Sequence, residues 1–221
     1  QDGKGGHFPN DKVIPLIEGE KLFSLIVLES LNQIKKFFKV KDELGLSDTT
    51  VYLNVSAHTI MHQEFCKIFS RFVEENGIKE NEFGLEITET AELEDTKKAG
   101  ESLERLKKRG IKIALDDFGA GYASLKYIRD LPIDVVKLDR HFTSNISDPS
   151  TSRLIKFVSD VCAELNLEMI GEGIETEKEK NMMIELGCVT GQGFLMHMPS
   201  FIEDIKNCLL YTSDAADEWW C

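Results

Sequence analysis

Positive charge is scarce in this chain. Its 26 lysines and arginines face 39 aspartates and glutamates, giving a formal charge of −13 and a pI near 4.9. That balance argues against electrostatic binding to long nucleic acid, but not against a small phosphorylated ligand held through metal ions. Long apolar runs are missing as well. The stretch near Leu22–Leu28 is far too short to span a bilayer and is interrupted by Ser24. No secretory signal is visible. Cysteines stand at 66, 162, 188, 208 and 221, with no CxxC pair and no zinc spacing, which reads as reduced thiols in a cytoplasmic protein. Low-complexity linkers and internal repeats are also lacking. With 221 residues and 42% hydrophobic content, the chain points to one domain with a sizeable core.

What the sequence does have is alternation. Val13–Glu18 reads as an entry turn and Leu22–Phe38 as a helix. Strands are expected at Val51–Ser56, Phe83–Thr88, Ile111–Asp116, Asp134–Asp139, Leu167–Gly171 and near Gly193–Met196. Helical spacing predicts helices over Met61–Asn76, Thr96–Arg109, Tyr122–Leu131, Ser152–Leu165 and Glu177–Leu186. Strand and helix thus alternate about six times with short connections. This pattern belongs to parallel βα units, in an open doubly wound sheet or a barrel.

The rest is organised around Ile111–Leu125. Ile111, Ile113 and Leu115 lead to two adjacent carboxylates, Asp116 and Asp117, and then to the turn Gly119-Ala120-Gly121. Neighbouring carboxylates repel, and a divalent cation would relieve that repulsion. A solvated pair opening a helix is the plainer alternative. The other strands decide between them, because nearly all end in polar residues that local structure does not require. These are Asn54, Glu86 and Glu89, Asp116 and Asp117, Lys137 and Asp139, Glu172 and Glu175, and Gln192. In a (β/α)₈ barrel such ends converge on one face, whereas an open sheet spreads them along an edge. The barrel with a carboxylate-rich metal site is preferred. Its chemistry suits phosphoryl transfer to water, with two cations roughly 3.5–4 Å apart clamping the attacking and leaving oxygens. A lysine among the acids can position the water or offset developing charge.

Asn54-Val55-Ser56, Glu86-Ile87-Thr88-Glu89, the segment DDFGAGYASL from Asp116, Lys137-Leu138-Asp139, Gly171-Glu172-Gly173-Ile174-Glu175-Thr176 and Gln192-Gly193-Phe194 follow the order and spacing of the EAL domain. The chain resembles that family of bacterial cyclic di-GMP phosphodiesterases from about Phe8 to Ile205. The resemblance implies an atypical (β/α)₈ TIM-like barrel and two Mg²⁺ or Mn²⁺ ions, with cyclic di-GMP linearised to pGpG. It casts Asn54, Glu86 and Asp116 as ligands of one metal. Asp116 would bridge to a second, held with Asp117 and Glu172. Lys137 resembles the lysine that orients the hydrolytic water. Glu89 resembles the glutamate anchoring the loop from Asp117 to Ser124, a loop implicated in homodimerisation. Gln192, Glu175 and Asp139 match supporting positions. Sensory or cyclase domains upstream in the parent protein would fit the family.

The family's Glu-Ala-Leu triplet has no counterpart, and VIPLIE resembles the segment that follows it. About six βα units are therefore expected, with the first two strands of the barrel and one ligand missing, in a partial domain over residues 1–207. Cys208–Glu218 reads like one frame through a sequencing adapter, so residues 208–221 are expected to be a foreign tail. Such a fragment is expected to be unstable and inactive as it stands. The rival to the enzyme is a catalytically silent cyclic di-GMP receptor or interaction module, but the ligand positions present in the chain are intact. Three other motifs carry less. Gly119-x-Gly121 has Ser124 where a dinucleotide turn needs a third glycine. Asp117-Phe118-Gly119 stands without the other kinase motifs. His58 and His62 lack the zinc-protease glutamate and read as ordinary helix residues.

Overall fold

The computed structural model describes residues 20–41, 46, 49–62, 64–88, 95–120 and 124–199. The expected entry turn at Val13–Glu18, Glu89 and the tail from Cys208 lie outside the described residues. The elements in chain order are α1 (Glu20–Val40), β1 (Val51–Val55), α2 (Ala57–Met61), α3 (Phe65–Asn76), β2 (Phe83–Thr88), α4 (Thr96–Lys107) and β3 (Lys112–Phe118). They continue with α5 (Ser124–Asp130), β4 (Val135–Leu138), α6 (Arg140–Ser144), α7 (Pro149–Glu164), β5 (Glu168–Gly171), α8 (Glu177–Glu185) and β6 (Thr190–Gly191).

Among the described residues the six strands form one parallel sheet in the order β1-β2-β3-β4-β5-β6. Each strand pairs with its predecessor in the chain, as in a (β/α)₈ barrel, of which this is an incomplete arc. One face of the sheet is apolar. Leu85, Ile113, Leu115, Val136 and Leu138 are fully buried against the helices, with Phe65, Phe69, Leu103, Leu106 and Ile155 opposite them. Phe69 stacks on Phe83 with ring centroids 6.2 Å apart. The other face carries the register-matched row Asn54, Glu86 and Ala114, and one row further on Thr88 and Asp116.

Helix ends follow local chemistry. Gly77 closes α3 with φ +62, a conformation glycine adopts without penalty, and its N–H reaches the carbonyls of Val73 and Glu74. Asp148 caps α7 just before Pro149, and α8 opens with a reciprocal Thr176–Glu179 capping box. Among the described residues no helix is long and apolar enough to cross a membrane.

Four expectations are corrected. Met61–Asn76 is not one helix, because His62 is extended (φ −71, ψ 133) and its Nδ1 accepts the N–H of Glu64, which a continuous helix would give to a backbone carbonyl. The third strand does not stop at Asp116 but runs on to Phe118. The last strand is Thr190–Gly191, while Gly193–Met196 is a turn closed by Met196 N–H on the Gly193 carbonyl. The fourth strand is also shorter than expected, since Asp139 leaves the sheet to cap α6.

Candidate metal centre

Alternation alone would send Asp116 and Asp117 to opposite faces of the sheet. A bulge changes this. Leu115 pairs with Val136 and Phe118 with Leu138, so two aspartates stand opposite the single residue Lys137. Asp117 takes the left-handed conformation (φ 54), which aspartate tolerates better than most side chains. As a result Asp116, Asp117 and Glu172 each offer an oxygen, and the three oxygens lie within 4.8 Å of one another.

Lys137 stands at the centre of this arc. Its Nζ lies 2.8 Å from Asp116 Oδ1, 2.8 Å from Glu172 Oε1 and 3.0 Å from Glu86 Oε1, and its side chain is 5% exposed. Burial pushes the ammonium toward deprotonation. Hydrogen bonds to Asp116 and Glu172 and the charge of Glu86 overcome it, so the lysine is held more firmly protonated than usual. Burial raises the Glu172 carboxyl to about 7; Lys137 opposes the shift, and Asp116 and Asp117 add to it. Burial likewise raises Glu86, again against Lys137 and with the two aspartates. Gln192 Nε2 donates at 2.6 Å to the same Glu172 Oε1 that Lys137 meets.

Four carboxylates thus crowd one ammonium, leaving an excess of negative charge made of hard oxygen donors. That donor set fits Mg²⁺ or Mn²⁺ and offers neither sulfur nor imidazole to softer ions. Of the residues anticipated from sequence, Glu86, Asp116, Asp117, Lys137, Glu172 and Gln192 are brought together. Asn54 stands beside Glu86 in register and is exposed. Asp139 is set apart, accepting the His141 N–H as the cap of α6. Glu175 is exposed, and its N–H is bound by Glu179.

A cavity of about 660 Å³ opens beside Glu172 and Gln192, lined also by Arg140, His141, Glu175 and Phe194. Sequence reasoning did not single out Arg140 or His141. Their position directly after Lys137-Leu138-Asp139 was the available signal.

A family model described as EAL domain matches residues 1–199. The chain belongs to the EAL domain family. It is 34% identical over 204 residues to cyclic di-GMP phosphodiesterase PdeA of Borreliella burgdorferi, covering 90% of this chain and 30% of that protein. It is 33% identical over 158 residues to cyclic di-GMP phosphodiesterase PA2567 of Pseudomonas aeruginosa, covering 71% and 27%. The solved structure of the PaMucR phosphodiesterase in complex with c-di-GMP matches at a TM-score of 0.82 and 28% identity, over 91% of this chain and 82% of that one. This EAL chain spans less than a third of the length of the two curated relatives.

Proposed function

We propose that the protein carrying this EAL chain hydrolyses cyclic di-GMP to linear pGpG with the help of two divalent cations, Mg²⁺ or Mn²⁺. The observation that carries the reading is the carboxylate arc around Lys137 at the C-terminal ends of β2 to β5. Asn54, Glu86 and Asp116 would hold one ion, and Asp116, Asp117 and Glu172 the other. Bound there, the ions would supply Lewis acidity toward the phosphodiester and the attacking water.

The chain's own groups divide the remaining work. Lys137 is too firmly protonated to act as a base, so its N–H groups orient the water and offset charge on the phosphoryl oxygens. Glu172 Oε1 is occupied by Lys137 and Gln192, which leaves Oε2 to meet a cation or take a proton near neutral pH. The cavity beside Glu172 receives part of the dinucleotide. Water bonds to phosphorus, the bond from phosphorus to the ribose oxygen breaks, and that oxygen leaves with a proton. Glu89, as anchor of the loop after Asp117, and pairing of two copies through that loop belong to the same proposal. Leu125, just past the loop and 57% exposed, would be covered by a second copy.

The test is hydrolysis of cyclic di-GMP by the purified full-length protein in Mg²⁺ or Mn²⁺. We expect pGpG, and a loss of at least about 100-fold in Asp116→Asn or Glu86→Gln with nucleotide binding retained. Tight binding without any pGpG would replace the enzyme with a receptor.

A further inference from the structure

The short helix α6 touches both carboxylate-bearing loops of the site. On one side the Phe142 ring lies where a side chain at Gly119 would be, since a Cβ there would stand 2.2 Å from its Cε2. Gly119 has φ +98 and follows the bulge that holds Asp117. On the other side Arg140 approaches Gly173, where a Cβ would meet the Arg140 Cβ at 2.6 Å. Gly173 has φ +66 and directly follows Glu172. At both positions a Cβ would clash with α6, and the left-handed φ is one that glycine adopts without penalty. Asp139 joins the first of these loops to the helix. Its N–H reaches the Phe118 carbonyl at 3.3 Å, and its carboxylate caps the helix on the His141 N–H at 2.8 Å.

We propose that α6 is a spacer that sets the separation of the Asp116–Asp117 bulge from Glu172, with Phe142 as its positioning residue. This rests on reading the carboxylate arc as a metal centre. The Phe142 ring is half-buried and has no polar atom with which to meet Asp116, Asp117 or Glu172, so its effect on them passes through Gly119. Cutting the ring back lets the turn at Gly119 relax. Asp117 then loses the fixed placement that brings its oxygen within 4.8 Å of those of Asp116 and Glu172. Supports of this kind around a metal typically govern affinity by 10–100-fold.

The experiment is Mn²⁺ binding to the full-length protein by calorimetry and electron paramagnetic resonance, without nucleotide. Phe142→Ala is expected to weaken Mn²⁺ binding at least about 10-fold, and Phe142→Leu to restore it to within about 3-fold of wild type. Ile155→Ala, a truncation in the core on α7, is a control for lost stability alone and should leave affinity unchanged. If Phe142→Ala does not fold, Gly173→Ala presses on α6 from the other loop and should weaken binding in the same direction. Wild-type affinity in these variants, while Asp116→Asn binds poorly, would overturn the spacer and leave the metal centre standing. Equal, negligible binding by wild type and Asp116→Asn would overturn the metal centre itself.

Discussion

Removing the Lys137 ammonium would leave Glu86, Asp116 and Glu172 facing one another with no compensating charge. Breaking a buried ionic cluster in this way costs about 3–5 kcal/mol. Lys137→Met should therefore lower the thermal midpoint of the metal-free protein, and Mn²⁺ should recover much of the loss by replacing the missing charge; scanning calorimetry with and without the ion reads both. Gln192→Ala acts on Glu172 alone, and is expected to cut metal affinity by about 10–100-fold without a comparable change in stability. Glu172 also gives the site a pH dependence. Its carboxyl is raised from 4.5 to about 7, so the folded chain holds this proton more tightly than the unfolded one. Its contribution favours the fold below about 4.5 and is lost as pH rises toward 7. Lys137 keeps its proton throughout that window. In EDTA, wild type should thus lose stability relative to Glu172→Gln between pH 4.5 and 7, and saturating Mg²⁺ should remove that difference in slope. A wild-type protein that gained stability over the variant across this range would contradict the assignment.

Within the elements, the bulge in β3 and the glycine in β2 set the geometry of the inner face. The Tyr52 ring lies against Gly84, and a Cβ at that glycine would stand 2.3 Å from the tyrosine Cε1. Gly84→Val should cost about 1–3 kcal/mol by displacing the ring. Adding Tyr52→Ala should recover part of it, and denaturant melts of the two single variants and the pair measure the coupling. Much of this layer could be read from sequence. Phe83–Thr88 is a strand over the residues expected, because Phe83, Leu85 and Ile87, all buried, alternate with Gly84, Glu86 and Thr88. Glu86, Asp116, Asp117, Lys137, Glu172 and Gln192 lie together because parallel strands in chain order put their C-terminal ends on one side, whereas Asp139 is drawn off as a helix cap and Glu175 is exposed. What was hidden depends on contacts distant in sequence or on single side chains. The bulge exists only as a mismatch between β3 and β4, and no periodicity within either strand reveals it. The break at His62 turns on one imidazole accepting one N–H. Arg140–Ser144 is too short for a helical repeat to show, yet it joins the two loops of the site. Two residues of β6 pair with Ile170 and Gly171, a strand too brief for alternation to mark.

At the scale of the whole molecule, cation binding and folding should be linked. Any ion bound only by the folded form stabilises it by about 2.7 kcal/mol at one hundred times its dissociation constant. For a protein of this size that corresponds to a rise of about 5–10 °C in the thermal midpoint. The rise should vanish in EDTA and in Asp116→Asn, which differential scanning fluorimetry would show directly. The pairing of every strand with its predecessor has a consequence for synthesis. Among the described strands, a chain leaving the ribosome can lay each βα unit on the one before it. Glu86 then arrives first, the two aspartates next, Lys137 after them and Glu172 last. The nascent arc accumulates like charges before its ammonium appears, and the apolar face alone must hold β2 and β3 together in the interval. By the same order the proposed ion site of Asn54, Glu86 and Asp116 is assembled before the one that waits for Glu172, so a ribosome stalled before Glu172 should present one cation site and not two.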